Sequence, residues 1–178
     1  MRQLENKNIV LDLQSKKCSW EDLKVPDPIK HVLEELKMNR PSIIQAHAIP
    51  RVNDQCQDNF LFQASNGSGK TLAFGIPSIM RVDPSIEGVQ VLIIANTREL
   101  IRQVQQVISK VCSNTKVTCC IGDTNTATSA ANIVVTVPKW IDNRLTGRKP
   151  IDLSNLKLVI YDEADEIFQQ EGNHDSIR

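Results

Sequence analysis

Residues 64–71 read Ala64-Ser65-Asn66-Gly67-Ser68-Gly69-Lys70-Thr71, standing between the short apolar run Phe60–Gln63 and a helix-patterned segment that opens at Gly69. A phosphate chain needs backbone N–H groups that point inward, and glycine lets the backbone close around the anion. The helix that follows directs its positive N-terminal end at the same place. In such a loop Ser65, Asn66, Gly67, Ser68 and Gly69 form the cradle. Lys70 reaches the terminal phosphates of a nucleoside triphosphate, and the Thr71 hydroxyl ligates magnesium. Alanine at position 64 stands where the strict pattern has its first glycine. The plain alternative is a glycine-rich turn with a solvated lysine. Gly-x-Gly-Lys-Thr at a strand-to-helix junction favours the phosphate loop.

Outward from this loop, strand-like and helix-like segments alternate. Phe60–Gln63, Val89–Ala95, Lys116–Ile121, Ile133–Val137 and Leu156–Tyr161 predict strands. Between them lies a helix with Leu100, Val104, Val107, Ile108 and Val111 on its inner side, and a short helix near Trp140 that leads into a basic loop. A last helix is predicted to start near Asp165. Asp27-Pro28 reads as an N-cap followed by proline at the first helical position, with Ile29, Val32, Leu33 and Leu36 on one face. Ser42 to Gln45 has the form of a capping box, opening a helix that Pro50 should end or kink. Cys119 and Cys120 should sit on opposite faces of one strand. Apolar strands without polar alternation, separated by helices, predict an α/β fold of three layers: a mostly parallel sheet with helices on both faces. Residues 1–19 read as an N-terminal extension and residues 20–178 as one domain.

The apolar run Leu158-Val159-Ile160-Tyr161 stops at Asp162-Glu163-Ala164-Asp165. Carboxyl ends of parallel strands line the ligand crevice of an open α/β sheet, on the edge that also carries the phosphate loop. Asp162 there can hold the magnesium through water, since hard cations prefer carboxylate oxygen. Glu163 can polarise a water that attacks the terminal phosphate. Three acids at a helix start are also ordinary dipole chemistry. Their position, 92 residues after Lys70 in a compatible sheet, favours the metal site.

Composition narrows the partners. Lysine plus arginine equals aspartate plus glutamate at 21 each, so nucleic-acid binding must come from a local patch rather than from net charge. No apolar run approaches the ~18–20 residues of a membrane helix, so no membrane insertion is expected. Five cysteines without a C-x-x-C pair read as reduced thiols of an intracellular protein, with no structural zinc.

Together, the Ala64–Thr71 loop and Asp162-Glu163-Ala164-Asp165 resemble the N-terminal RecA-like domain of DEAD-box RNA helicases, and the likeness covers nearly the whole chain from Trp20 onward. Pro41-Ser42-Ile43-Ile44-Gln45 looks like that family's Q motif. The resemblance implies that Gln45 reads adenine and that Trp20 packs near the base. Gln45 has a competing local role in the capping box, and Trp20 one in plain packing. Asn96-Thr97-Arg98-Glu99-Leu100 resembles the family's P-T-R-E-L, Gly122-Asp123 stands at its Gly-Gly pair, and Val137-Pro138-Lys139-Trp140 at its T-P-G-R. The resemblance implies that Thr97, Arg98, Gly122, Pro138 and Lys139 hold single-stranded RNA by its backbone. Val137 and Lys139 remove a hydroxyl and add bulk and charge there.

It implies further that ATP and Mg2+ are the cofactors, that Lys70, Asp162 and Glu163 carry catalysis, and that Asp165 serves contact between domains. The second RecA-like domain, which would supply arginine fingers, is expected outside this chain. Asn39-Arg40-Pro41-Ser42, Ala48-Ile49-Pro50 and the tail Glu171–Arg178 look like the messenger-RNA export subgroup. That likeness implies nuclear-pore or translation regulatory factors as partners and a cytoplasmic or nuclear location. Two readings compete with an RNA-stimulated ATPase. One is a degenerate helicase-like scaffold, favoured by the drift at Asn96, Asp123, Val137, Lys139 and Trp140. The other is a different nucleotide-hydrolysing motor or kinase, from which adenine recognition by Gln45 would separate it.

Overall fold

The computed structural model describes residues 18–54, 59–122, 130–148 and 150–169. Four strands form one wholly parallel sheet: β1 (Val91–Ala95), β2 (Cys119–Ile121), β3 (Ile133–Thr136) and β4 (Leu158–Asp162), in the order β2-β3-β1-β4. The register pairs Val91 with both Ile133 and Leu158, and Ala95 with Asp162. Among the described residues the helices that accompany them are α1 (Asp27–Glu35), α2 (Ile43–Asn53), α3 (Lys70–Arg81), α4 (Arg98–Cys112), α5 (Pro138–Thr146) and α6 (Ala164–Gln169).

Strand alternation sorts the core into two layers. Val91, Ile93, Ala95, Ile133 and Val135 face Ile29 of α1, Ile76 of α3, and Val104 and Ile108 of α4. Leu92, Ile94 and Val134 face the other way, onto Trp140 and Ile141 of α5 and Ile167 of α6. Cys119 packs into the first layer and Cys120 into the second, as one step along a pleated strand requires. Helices therefore cover both faces, and the expected three-layer α/β fold is the one observed. A fully buried isoleucine contributes about 1.5–3 kcal/mol by leaving water, and Ile93 and Ile133 of the sheet, Ile76 of α3 and Ile108 of α4 are all fully buried. A third, smaller cluster joins Ile44 and Ala48 of α2 to Ala73 of α3.

Several local expectations are corrected. Phe60–Gln63 forms no strand. Leu61 is 88% exposed, Phe60 stacks on Phe62, and Phe62 packs on the α2–α3 cluster instead of joining the sheet. The N-cap of α1 is Pro26, with Asp27 already helical and paired with Lys30 at 2.9 Å. Pro50 does not end α2, which runs on to Asn53. Val107 is exposed, and Ile101 takes its place among the buried residues of α4. Strands β1, β2 and β4 begin two or three residues later than the apolar runs suggest. Asp123 and the Glu171–Arg178 tail lie outside the described residues.

Candidate functional site

Because every strand is parallel, the helices after β1, β3 and β4 all start at one edge of the sheet. The phosphate loop comes first. Gly67 and Gly69 adopt φ of +75° and +91°, left-handed conformations that side-chain-bearing residues rarely take. Ser68 N–H closes a turn onto Ser65 O at 3.3 Å, and Gly69 O accepts from Ala73 N–H at 3.1 Å as α3 begins. Lys70 Nζ donates to Ala64 O at 2.9 Å and Asn66 Oδ1 at 3.4 Å, so its ammonium lies inside the loop's own curve. Ser65, Asn66 and Gly67 are exposed, and Thr71 is half-buried at the second position of α3.

Gln45 ties α2 to this loop. Its Oε1 accepts from Ser42 N–H at 2.8 Å, the expected capping contact. Its Nε2 donates to Gly69 O at 3.1 Å. A Cβ added at Gly69 would fall 2.5 Å from that Nε2, so only glycine permits the approach. The residue is only 5% exposed and spans the junction between Q-motif helix and phosphate loop. A cavity of about 400 Å³ opens beside it, lined by Cys18, Arg40, Pro41, Ser42, Ile43, Ile44 and Ser68. The hydroxyl oxygens of Ser42 and Ser68 are buried there without a hydrogen-bond partner. Cys18 and Arg40 as cavity walls carry no sequence signal beyond their nearness to the motif. Trp20, in contrast, is 4% exposed, packs in the main core and donates its indole N–H to Met38 O at 2.8 Å. The packing role is the one the structure gives it.

Across the edge stands Asp162 at the tip of β4. Burial, and next the Glu163 carboxylate, push its carboxyl above the usual carboxylate range, while the Lys70 ammonium pulls it back down. Carboxylate oxygen is the donor that hard divalent cations prefer, and Asp162 is the half-buried acid at this edge. Glu163 takes the left-handed region at φ +55°, and its carbonyl accepts from Glu166 and Ile167 N–H as α6 starts. Its side chain and that of Asp165 are exposed.

The residues expected to face nucleic acid differ in what they leave free. Thr97 caps α4, its Oγ1 accepting from Leu100 N–H at 3.1 Å. Arg98 is exposed, and Glu99 pairs with Arg102 rather than with it. Gly122 spends its N–H on Val135 O and its carbonyl on the Thr136 hydroxyl. Its main chain therefore belongs to the sheet. Pro138 is buried at the start of α5, and Lys139 is exposed beside it. Among the described residues no helix is long and apolar enough to cross a membrane.

Comparison with known proteins places these features in context. The family model for DEAD/DEAH box helicases matches residues 42–178. The chain is 34% identical over 158 residues to the ATP-dependent RNA helicase DBP5 of Scheffersomyces stipitis, covering 86% of this chain and 31% of that protein. It is 33% identical over 175 residues to the ATP-dependent RNA helicase eIF4A of Candida glabrata, covering 94% of this chain and 43% of that one. The chain thus spans well under half the length of these relatives. Among solved structures, S. cerevisiae Dbp5 bound to RNA and ADP BeF3 superposes with a TM-score of 0.82 at 29% identity, over 89% of this chain and 41% of that chain. A Dbp5 L327V structure bound to nup159, gle1 H337R, IP6 and ADP gives 0.78 at 28%, over 86% and 42%.

Proposed function

This chain belongs to the DEAD/DEAH box helicase family, and on that premise we propose that it is the ATP-binding half of an ATP-dependent RNA helicase, which remodels RNA or RNA–protein complexes by ATP-driven domain closure. The observation that supports the reading is the glycine-built loop at the start of α3, which holds the Lys70 ammonium against Ala64 O at 2.9 Å and close enough to the Asp162 carboxyl at the tip of β4 to draw it down. Only groups placed so can share one nucleotide.

In this reading Ser65 to Gly69 cradle the phosphates with main-chain N–H groups, and Lys70 exchanges its bonds to Ala64 and Asn66 for phosphate oxygens. Thr71 and Asp162 hold magnesium, partly through water, which when bound neutralises charge on the phosphate oxygens. Glu163 orients the attacking water and takes its proton. A carboxamide has two donors and two acceptor lone pairs, so Gln45 can keep Ser42 and Gly69 while reading the adenine edge. Thr97, Arg98, Gly122, Pro138 and Lys139 form the face for single-stranded RNA. Asp165 faces a second RecA-like domain, whose arginine fingers would contribute on the order of 10³–10⁵ in rate.

The finer assignment to messenger-RNA export, with nuclear-pore partners and a cytoplasmic or nuclear-pore location, is supported by the relatives named DBP5 and by the solved Dbp5 complex with nup159 and gle1. Binding of a fluorescent ATP analogue with Mg2+ tests the core of the reading. ATP should compete and GTP should compete poorly, and Lys70→Ala should abolish binding. Turnover by the isolated chain should be barely measurable with or without RNA. Joined to its second domain, the chain should turn over ATP with RNA stimulation that Glu163→Gln removes. A flat response there would favour the scaffold.

A further inference from the structure

We propose that Arg144, laid against the indole of Trp140, binds a backbone phosphate of single-stranded RNA; this rests on the RNA reading above and deepens it. Trp140 is 8% exposed and seated on the tip of β2: its Cε3 and Cζ3 lie 2.9 Å from the position a Cβ of Gly122 would occupy. One helical turn later the Arg144 guanidinium carbon lies 5.5 Å from the indole centroid. Its Nε is buried without a hydrogen bond, and no described carboxylate forms an ion pair with it. Asp142, two residues earlier on α5, does not share its side of the helix.

A guanidinium held against an aromatic ring still offers the N–H groups of its planar fork. With the indole beside it, the guanidinium still offers N–H groups that suit the oxygens of a phosphate. The neighbours agree in sign. Lys139 is exposed at the start of the same helix, and Arg148 is exposed just past its end. The departure at Lys139-Trp140 acquires a physical sense in this light. Trp140 fills the space over Gly122 and becomes the platform for an arginine one turn on.

The test is a titration of the ¹⁵N-labelled chain with a single-stranded uridine oligomer, following the Arg144 Nε–H, the Trp140 indole and the Thr97 and Gly122 amides. All four should move on one isotherm. Arg144→Gln, with the remaining amide spectrum unchanged, should weaken binding several-fold and lower the log Kd against log salt slope by about 0.7, the value for one phosphate contact on a single strand. Arg144→Lys, which keeps the charge but loses the fork, should lie between the two. Movement at Thr97 and Gly122 with a silent Arg144 would leave the RNA reading standing and overturn this proposal. Silence at all four would overturn both. A response of Arg144 to inorganic phosphate but not to the oligomer would make it an anion site unrelated to RNA, and would also overturn the proposal.

Discussion

Replacing Gly67 and Gly69 separately by alanine isolates the contact that joins α2 to the phosphate loop. Both glycines adopt left-handed φ, so each alanine carries a conformational cost of about 1–2 kcal/mol. At Gly67 an added Cβ meets nothing within 4 Å, and the cost should end there. At Gly69 it meets Gln45 Nε2 at 2.5 Å and Ser42 Oγ at 3.2 Å. The carboxamide must withdraw, and its bond to Gly69 O, about 0.5–1.5 kcal/mol net, is lost. The totals are then about 1–2 kcal/mol for Gly67→Ala and about 1.5–3.5 kcal/mol for Gly69→Ala. In urea, with a slope of about 2 kcal/mol per molar, the two midpoints should differ by about 0.25–0.75 M. In a Gln45→Ala background most of the extra cost at Gly69 should vanish, because the nearest clashing atom and the bond it breaks are gone and only the Ser42 Oγ contact at 3.2 Å is left. Equal midpoints for the two single variants, or an excess at Gly69 that survives undiminished when Gln45 is removed, would refute the coupling.

Three further outcomes follow from single residues. Asp162 has a carboxyl raised by burial and by Glu163, so the folded state holds its proton more tightly than the unfolded state does. The stability due to that proton is complete below the ordinary carboxylate value and is lost as pH rises through the folded one. Asp162→Asn should therefore raise stability at pH 7 by about 0.5–2 kcal/mol, with the gain shrinking towards pH 4, as thermal melts at both pH values would read. Lys37 sits at φ +59° just past α1, where Lys37 N–H and Met38 N–H close on Glu34 O and Leu33 O, each at 2.8 Å. Lys37→Gly should relieve about 1 kcal/mol and raise the melting temperature by about 2–4 °C. Burial pushes the Cys112 thiol up to about 12, so at pH 8 it should resist alkylation until the chain unfolds, which peptide mass spectrometry can follow.

The features readable from sequence were those with a strong local grammar. The Gly-x-Gly-Lys-Thr loop, the opposed faces of Cys119 and Cys120, and the acids at the end of a continuous apolar strand each follow from chain chemistry within a few residues. What stayed hidden depends on distant neighbours. Phe60–Gln63 has strand composition, yet Phe62 finds its apolar contact on the Ile44–Ala48–Ala73 cluster, and composition cannot choose between a sheet and a helix pair. Asp27 looks like a cap, but Lys30 engages its carboxylate and the helix begins a residue earlier in the turn. Val107 keeps helical spacing with its buried neighbours, yet lies at the border of the buried arc. Within the site, Gln45's capping partner was legible because it is three residues away. Its bond to Gly69, 24 residues away, was not.

Glu163 keeps a long, charged side chain at a backbone angle that glycine or asparagine would occupy at less expense. A screen that rewards heat resistance alone should therefore enrich substitutions at position 163 and discard the acid proposed to activate water. On the proposed reading, thermal robustness and chemistry pull this one residue in opposite directions.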